Sequence, residues 1–511
     1  MLGPPKPRRL DDPIAVSLEH LVPADNFSRH LEAKLDLGFV RDWVQELYAE
    51  RGRPGIDPVV FFKLQLVMFF EGIRSERKFI ETASLHLAHR WYLGYALDEA
   101  LPDHSRPTRI RQRLGIAVFE RFFEHVVDLC QDAGLIWGKE LFVDATKVEA
   151  NADFDSLVPR FYHEARTLLA GLFAAAAPEA TTETPLPATA DDLPAGVVRL
   201  PRAGGVERSS PTGAPPWRLL EERRLDPARP ADRGYERMSA WLVSPTDPDA
   251  TPMRTGARTT LGYHDHCVVD GGKARIILAC LVTPADVMEN VPLRDLLWRV
   301  RFRRKLHPRQ VTGDTTYGTI ENIVAVEDAG IRAYVPLSDF DHRTAYFGRD
   351  AFRYDAAQDF YRCPGGETLR LRALDTVERV RIYQAPTAVC TACPLKPRCT
   401  GGRGGRQVRR SVDEAYLERV RGYHATEAYA KAMGKRKVWV EPLFAEAKLW
   451  HGLRRFRLRE LANVNMEGLL IAAGQNLKRW LAAAGWGRRH APCGSLVALP
   501  KPPLRPPTAC G

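Results

Sequence analysis

The sequence predicts a multidomain α/β protein with an all-α N-terminal domain, a strand-rich centre carrying two insertions, and a helical C-terminal part. Three observations carry this. Apolar residues recur at helical spacing from Asp57 to Gly115. The pattern then changes to short runs of strand formers, in LFVDATKVEANA and in RTTLGYHDHCVVDGGKARIILACLVTP, where Asp270-Gly271-Gly272 between two such runs marks a hairpin. Helical periodicity returns from about Ala430 to Trp480.

Composition bounds the function. With 511 residues, 45% hydrophobic and 27% charged, the chain is long enough to bury the cores of two or three domains. Its 74 Lys and Arg outnumber 63 Asp and Glu, and the net charge of +11 points to a polyanionic partner. Nucleic acid is the first candidate and an anionic membrane surface the second. The longest apolar run, Leu168 to Ala177, is much shorter than the ~20 residues of a membrane span, and the start MLGPPKPRRLDDP lacks a secretory apolar stretch. A cytoplasmic, nucleoid-associated protein is therefore expected, with no membrane partner.

Each element follows in order. Residues 1–135 form the helical head, with helices in DPVVFFKLQLVMFFEGI and ERKFIETASLHLAHRWYLGYAL broken by turns at Gly72 and near Pro102. In PDHSRPTRIRQRLG, Asp103 or Ser105 caps a helix bearing Arg106, Arg109, Arg111 and Arg113. That helix suits a DNA-binding head, or equally a basic solvated face on an ordinary helical domain. Residues 136–160 begin the core and deliver Asp144 at the end of a strand. Residues 161–250 are an insertion whose Ala, Pro, Thr and Gly-rich stretch, about 181–216, reads as a linker. Residues 251–337 return to the core as a hairpin, a helix from about Val291 to Lys305, and a strand, loop, helix and strand that place Asp314 at a second strand end. Residues 338–430 are an insertion that holds four of the nine cysteines, 431–488 are helical and contain Glu441, and 489–511 read as a disordered tail.

Two strand-end aspartates and an acid on a later helix suit phosphodiester chemistry. Such reactions use two divalent ions about 3.5–4 Å apart. Hard carboxylate oxygens select Mg²⁺ or Mn²⁺. Placement alone is weak support in a chain with 63 acids. The surrounding motifs are more specific. PDHSRPTRIRQRL, VDATKVEANA, SPTDPDA, GDTTYGTIEN and VEPLFAEAKLWHGLRRFRLR, in this order from about Asp57 to Trp480, resemble the DDE transposases of bacterial insertion sequences, in the branch of the IS-five and IS-eleven-eighty-two types.

This resemblance implies an RNase H-like catalytic core with two insertions, in which Asp144 lies on the first strand, Asp314 follows the fourth, and Glu441 opens the closing helix. It implies a DNA transposase that binds terminal inverted repeats, cuts at the element's ends and transfers the freed strand, working as a homodimer on double-stranded DNA. The Pro-Leu-Phe after Glu441 favours it as third acid over Glu446, while Asp153 and Asp155 lie beyond the strand and read as surface. Relatives surround the third acid with Tyr, Arg, Glu and Lys. Here Lys448 matches the Lys and Arg436 or Lys437 the Arg, but Met433 and Gly434 stand at the Tyr position.

Three basic stretches stand out: Arg294 to Arg309, Arg398 to Arg410, and Lys431 to Glu460. Within the last, Arg454, Arg455, Arg457 and Arg459 are assigned to phosphate contact, and Trp439, Trp450 and Phe456 mostly to core packing. His264 and His266 are expected on the exposed face of a strand. Cys363, Cys390, Cys393 and Cys399 suit a structural Zn²⁺ site that staples the insertion. Two other classes stay open, namely a nuclease of the same fold without strand transfer, and a transposase-derived DNA-binding protein that has lost catalysis.

Overall fold

The computed structural model describes residues 15–48, 55–176, 241–338 and 344–486. The linker expected near 181–216 and the tail expected from 489 lie outside the described residues. The helical head contains α1 (Leu18–Leu21), α2 (Phe27–Lys34), α3 (Phe39–Val44), α4 (Pro58–Phe70), α5 (Glu76–Leu85), α6 (Leu87–Leu93) and α7 (Arg106–Asp132). α4 starts where the Asp57 carboxylate accepts the Val59 N–H at 2.9 Å and Pro58 occupies the first turn. α7 is interrupted at Gly115, whose φ of 65° a side-chain-bearing residue adopts only under strain. The basic segment thus ends at Gly115, and the apolar half beyond it is buried through Phe119, Phe122, Val126 and Val127. These residues share one core with Phe142, Leu469 and Leu477 from the rest of the chain, so the head packs against the catalytic region.

The central sheet is built on β1 (Glu140–Glu149). It pairs antiparallel with β5 (Arg258–Asp270) and parallel with β7 (Gln310–Thr312), which pairs parallel with β8 (Arg332–Tyr334). β6 (Ile277–Pro284) runs antiparallel to β5 on its other flank, and β4 (Thr251–Thr255) pairs with the start of β5. The strands therefore lie in the order β6-β5-β1-β7-β8. α9 (Leu293–Arg304) and α10 (Ile320–Asp328) supply the crossovers. The expected hairpin is present, but its turn spans residues 271–276. The Asp270 carboxylate explains the longer turn, because it accepts the N–H groups of Trp137, Gly138 and Gly272 at 3.0, 2.7 and 2.8 Å.

The C-terminal part, expected to be helical, is a succession of separate helices. α13 (Glu414–His424), α14 (Glu427–Trp439), α15 (Glu441–Trp450) and α16 (Leu461–Ala483) succeed one another. Pro442, in the first turn of α15, has no N–H to continue α14, so the axis breaks at Val440. Residues 451–460 are not helical either. They run beside the end of β1, where Glu149 N–H donates to the Arg454 carbonyl at 3.0 Å and Phe456 N–H to the Glu149 carbonyl at 2.8 Å.

α16 closes the open edge of β6. Asn465 accepts the Val282 N–H at 2.8 Å and donates to its carbonyl at 2.9 Å, and Asn476 does the same to Ile277 at 2.9 and 2.8 Å. Eleven helical residues rise about 16.5 Å, and five strand residues span about the same. Edge groups five residues apart would ordinarily point in opposite directions. The register shift between Val268 and Val269 opposite Ile277 and Ala279 brings both into line with the helix.

The two insertions leave and return at the sheet. The first passes through the short pair β2 (Val158–Pro159) and β3 (Leu242–Val243) and begins with α8 (Arg160–Ala176). The second follows β8 and forms an antiparallel sheet of β9 (Arg353–Asp355), β10 (Phe360–Arg362), β11 (Thr368–Asp375), β12 (Val380–Gln384) and β13 (Gln407–Ser411), with short helices α11 (Thr387–Ala392) and α12 (Lys396–Cys399). Among the described residues, no helix is long and apolar enough to cross a membrane.

Candidate active site

Asp144 and Asp314 meet through the register of the sheet. The last parallel pair of β1 and β7 is Phe142 with Thr312, so two residues further on each chain the register leads to Asp144 and Asp314. Asp144 is buried and accepts its neighbour's Ala145 N–H at 3.0 Å. Asp314 leaves the strand and caps a short 3₁₀ turn, accepting the Thr316 N–H at 2.8 Å. The turn fits closely because residue 318 is glycine, since a Cβ there would lie 2.7 Å from the Pro336 carbonyl oxygen.

Arg436, on the last turn of α14, joins the pair. Its Nη2 is 2.9 Å from Asp144 Oδ2 and 3.7 Å from Asp314 Oδ2, so the two carboxylates are close enough to share one cation. Neighbours on α14 fix its approach. Lys435 reaches Glu140 and the Gly271 carbonyl beneath the rings of Trp137, Phe142 and Trp439, and Trp439 Nε1 donates to the Gly272 carbonyl at 2.9 Å. Burial raises the Asp144 pKa, Arg436 and the Ala145 N–H offset part of that, and Asp314 adds to it. Such a carboxylate pair is short of positive charge.

A third acid joins them that the sequence did not single out. Glu289, in the loop between β6 and α9, is pushed up by its own burial and then by the charges of Asp314 and Asp144. The loop is held where His264 meets the Val287 carbonyl at 3.0 Å and Asn322 donates to the Asn290 carbonyl at 3.0 Å. Its only sequence signal is an acid shortly after a hairpin, which local patterning cannot distinguish from a solvated loop residue. Glu441 opens α15 as expected, is exposed, and makes no hydrogen bond or ion pair among the described residues. The rival Glu446 is turned toward α16, paired with Lys478 at 2.8 Å and Arg479 at 3.0 Å.

The basic residues divide. Arg109, Arg113, Lys437 and Arg454 are exposed and Arg106 is half-buried. Arg111, expected on a DNA-facing surface, is instead buried and paired with Glu76, which also takes Arg457 at 2.9 Å. Burial alone would raise the Glu76 pKa, but the two guanidinium groups outweigh it and hold the carboxyl below its ordinary value. Helical periodicity put Arg111 on the face that packs. Arg455 and Arg459 donate to the Ala150 and Asn151 carbonyls, both at 3.0 Å, and so brace the end of β1. Lys448 is half-buried and faces Asp265. Phe456 is buried and Trp439 half-buried, but Trp450 is exposed.

His264 and His266 correct the expectation of an exposed strand face. Both are buried, because the β6–α9 loop crosses that face, and His266 Nε2 meets Thr283 Oγ1 at 2.8 Å. Burial pushes His266 down to about 3, so the ring is neutral. On the opposite face Asp265, Cys267 and Cys280 bring three ligand atoms within 4.8 Å of one another, and the Cys280 thiol donates to Asp265 at 3.3 Å. Asp265 is pushed up to about 7 by burial.

Cys363, Cys390, Cys393 and Cys399 line one cavity in the second insertion, although no three of their sulfurs lie mutually within 4.8 Å. The Arg406 N–H donates to Cys390 Sγ at 3.4 Å, and a Cβ on Gly365 would stand 3.6 Å from the sulfurs of both Cys363 and Cys393. Burial raises the Cys399 pKa, Arg406 lowers it, and the charges of the other three thiols raise it further.

Asp144 lies in the middle of β1, because pairing with β5 carries that strand on to Glu149 instead of ending it at the aspartate as the sequence suggested, and Asp314 lies two residues past the end of β7; together they present hard oxygen donors of the kind that suit divalent ions. The family comparisons agree. Residues 16–113 match the model of a transposase domain (DUF772), and residues 362–481 match that of a transposase DDE domain, which includes all four insertion cysteines and Glu441. These two matches support an insertion-sequence DDE transposase. No curated protein and no solved structure matches it.

Proposed function

We propose that this transposase cuts double-stranded DNA at the ends of its element and joins the freed 3′-hydroxyl to target DNA. The observation that carries the reading is the Asp144–Asp314 pair held against Arg436. The strand order, with β1 flanked by antiparallel β5 and parallel β7, supports an RNase H-like core. Asp144 and Asp314 would hold Mg²⁺ or Mn²⁺, and their oxygen-only donor set suits such hard ions. The bound ions would activate the attacking oxygen and stabilise the leaving one. Arg436 offsets part of the rise that burial imposes on the Asp144 pKa, and its planar fork suits a DNA phosphate.

Glu441 is the third acid by motif, and Glu289 competes for the place because it lies within the field of both aspartates. Cleavage of end DNA by Asp144→Asn, Asp314→Asn, Glu441→Gln and Glu289→Gln variants tests all four. Either aspartate variant should fall to background, and undiminished cleavage by either would overturn the assignment. The third ligand is whichever glutamate variant loses activity together with Mn²⁺ binding. An outer residue should lose only about 10–100-fold. Joining of a pre-cut end to a plasmid separates a transposase from a nuclease that only hydrolyses.

Lys437, Lys448, Arg454 and the exposed arginines of α7 are proposed phosphate contacts, with the head reading the terminal repeats and two copies acting on paired ends. The four cysteines are proposed to hold one structural Zn²⁺, their sulfurs drawing together to the tetrahedral spacing it requires. One equivalent of zinc should be present in wild type and missing in Cys390→Ser. Its absence from both would sink the proposal.

A further inference from the structure

The second insertion carries a face that neither the acids nor the cysteines explain. Side chains on its five-stranded sheet alternate between two faces. Tyr361, Leu369, Tyr383 and Val408 point one way into a small core. The other face presents Arg353, Arg362, Arg370, Arg372 and Arg409, all exposed. Registered partners share a face in antiparallel sheets. Arg353 stands directly opposite Arg362. Phe360, two residues before Arg362, stands opposite Arg370, so Arg370 is a diagonal neighbour of Arg362.

Like charges directly opposite one another destabilise a sheet, and here no acid offsets them. Among the described residues, none of Arg353, Arg362, Arg370 and Arg372 has a carboxylate within ion-pair distance. Asp355 on the same face accepts the N–H groups of Ala357 and Gln358 in its own turn, at 3.0 and 3.2 Å, and forms no ion pair with these arginines. Arg409 is paired with Glu378. Arg372 is steadied by the Gln384 amide, and Arg362 lies over the Phe360 ring at 5.7 Å. Apart from Arg409, the face is thus a set of cations without ion-pair partners among the described residues, carried on one sheet.

We propose that this sheet face is a DNA-binding surface separate from the catalytic acids, gripping the phosphate backbone of a duplex without reading its sequence. The choice of DNA as occupant rests on the transposase reading above. The polyanionic class rests on the charge pattern alone. Four guanidinium groups on one sheet face suit a row of phosphates, each of which they can engage with paired N–H donors. No base-reading groove is formed, so the contribution is sequence-independent and strongly salt-dependent.

The test is binding of the full-length protein to a generic duplex lacking the element's ends, followed by fluorescence anisotropy from low to high salt. Wild type is compared with a variant carrying Arg353→Ala, Arg362→Ala, Arg370→Ala and Arg372→Ala together, and with the matching fourfold Lys variant. The Ala variant should bind more weakly and flatten the slope of log affinity against log salt by about 3 to 4, near 0.9 per lost phosphate contact. The Lys variant should keep most of the slope, which excludes misfolding as the cause. An unchanged slope in the Ala variant overturns the proposal. So does an equal loss in both variants. Cleavage of end DNA is measured separately, so a failure of the catalytic reading would appear there and leave this result intact.

Discussion

At the scale of single residues, burial and pairing decide what each charged group can do. Asp265 lies one strand from Asp144, opposite Thr146 in the register, yet it is fully buried and pushed up to about 7. An unfolded aspartate titrates near 3.8. As pH rises from about 4 to 7 the unfolded chain therefore loses this proton while the folded chain keeps it, and stability falls across that window before levelling off. Asp265→Asn should remove the decline and stabilise the protein above pH 7 by about 4 kcal/mol. Urea midpoints at pH 5 and pH 8 would show it, and equal pH dependence in variant and wild type would refute it. The amide oxygen can still accept the Cys280 thiol, so the hydrogen bond is not lost.

At the scale of elements, α16 organises the sheet from outside it. Its buried polar residues look misplaced in an otherwise apolar helix until their partners are named. Asn465 and Asn476 clamp β6, Gln475 donates to the Leu443 carbonyl at 2.9 Å, and Glu467 accepts the N–H groups of Arg457 and Leu458. Asp249 caps the first turn of the helix through the Leu461 N–H at 2.8 Å, and Asp247 takes the Glu460 N–H and the Tyr263 hydroxyl. This gives the SPTDPDA segment a structural purpose. Asn476→Ala would leave a buried N–H and a buried carbonyl on Ile277 without partners, at a cost on the order of 3 kcal/mol. Chemical denaturation measures this, and a loss below 1 kcal/mol would mean that β6 finds other partners.

At the scale of the whole molecule, the head and the catalytic region are locked together by charge as well as by a shared core. Glu76 of the head takes Arg111 from α7 and Arg457 from the strand-like segment beside β1, and Arg74 lies 3.7 Å from Glu467. Arg111→Ala should cost roughly 3 kcal/mol, the low end for breaking a buried pair because Arg457 remains. Glu76 is held below its ordinary value of 4.5, so this stability is present above that pH and disappears as pH falls through the folded value. The gap in urea midpoint between wild type and variant should accordingly be full at pH 7 and close under acid. A gap that does not narrow at all as pH falls below 4.5 would show that Arg111 acts through packing alone.

Much of this arrangement is legible in the amino-acid sequence. Apolar periodicity of 3.6 separates the head helices, and β-branched runs locate β1, β5, β6 and β7, but they misplace the end of β1, since pairing with β5 extends it past Asp144 to Glu149. The spacing of Cys363, Cys390, Cys393 and Cys399 likewise marks one cluster, and the sulfurs do line one cavity. These are properties of short stretches of chain, which local propensity determines. Whether Arg111 faces DNA or Glu76, whether His266 is exposed, and whether Glu289 or Glu441 stands beside the aspartates depend on register and on which loop crosses which face. Those choices join residues from different elements, and in the sheet a one-residue change of register would reverse them without altering any local pattern. The tertiary structure alone decided them, since only the packed sheet brings Arg436 to both aspartates and turns five arginines of the insertion onto one face.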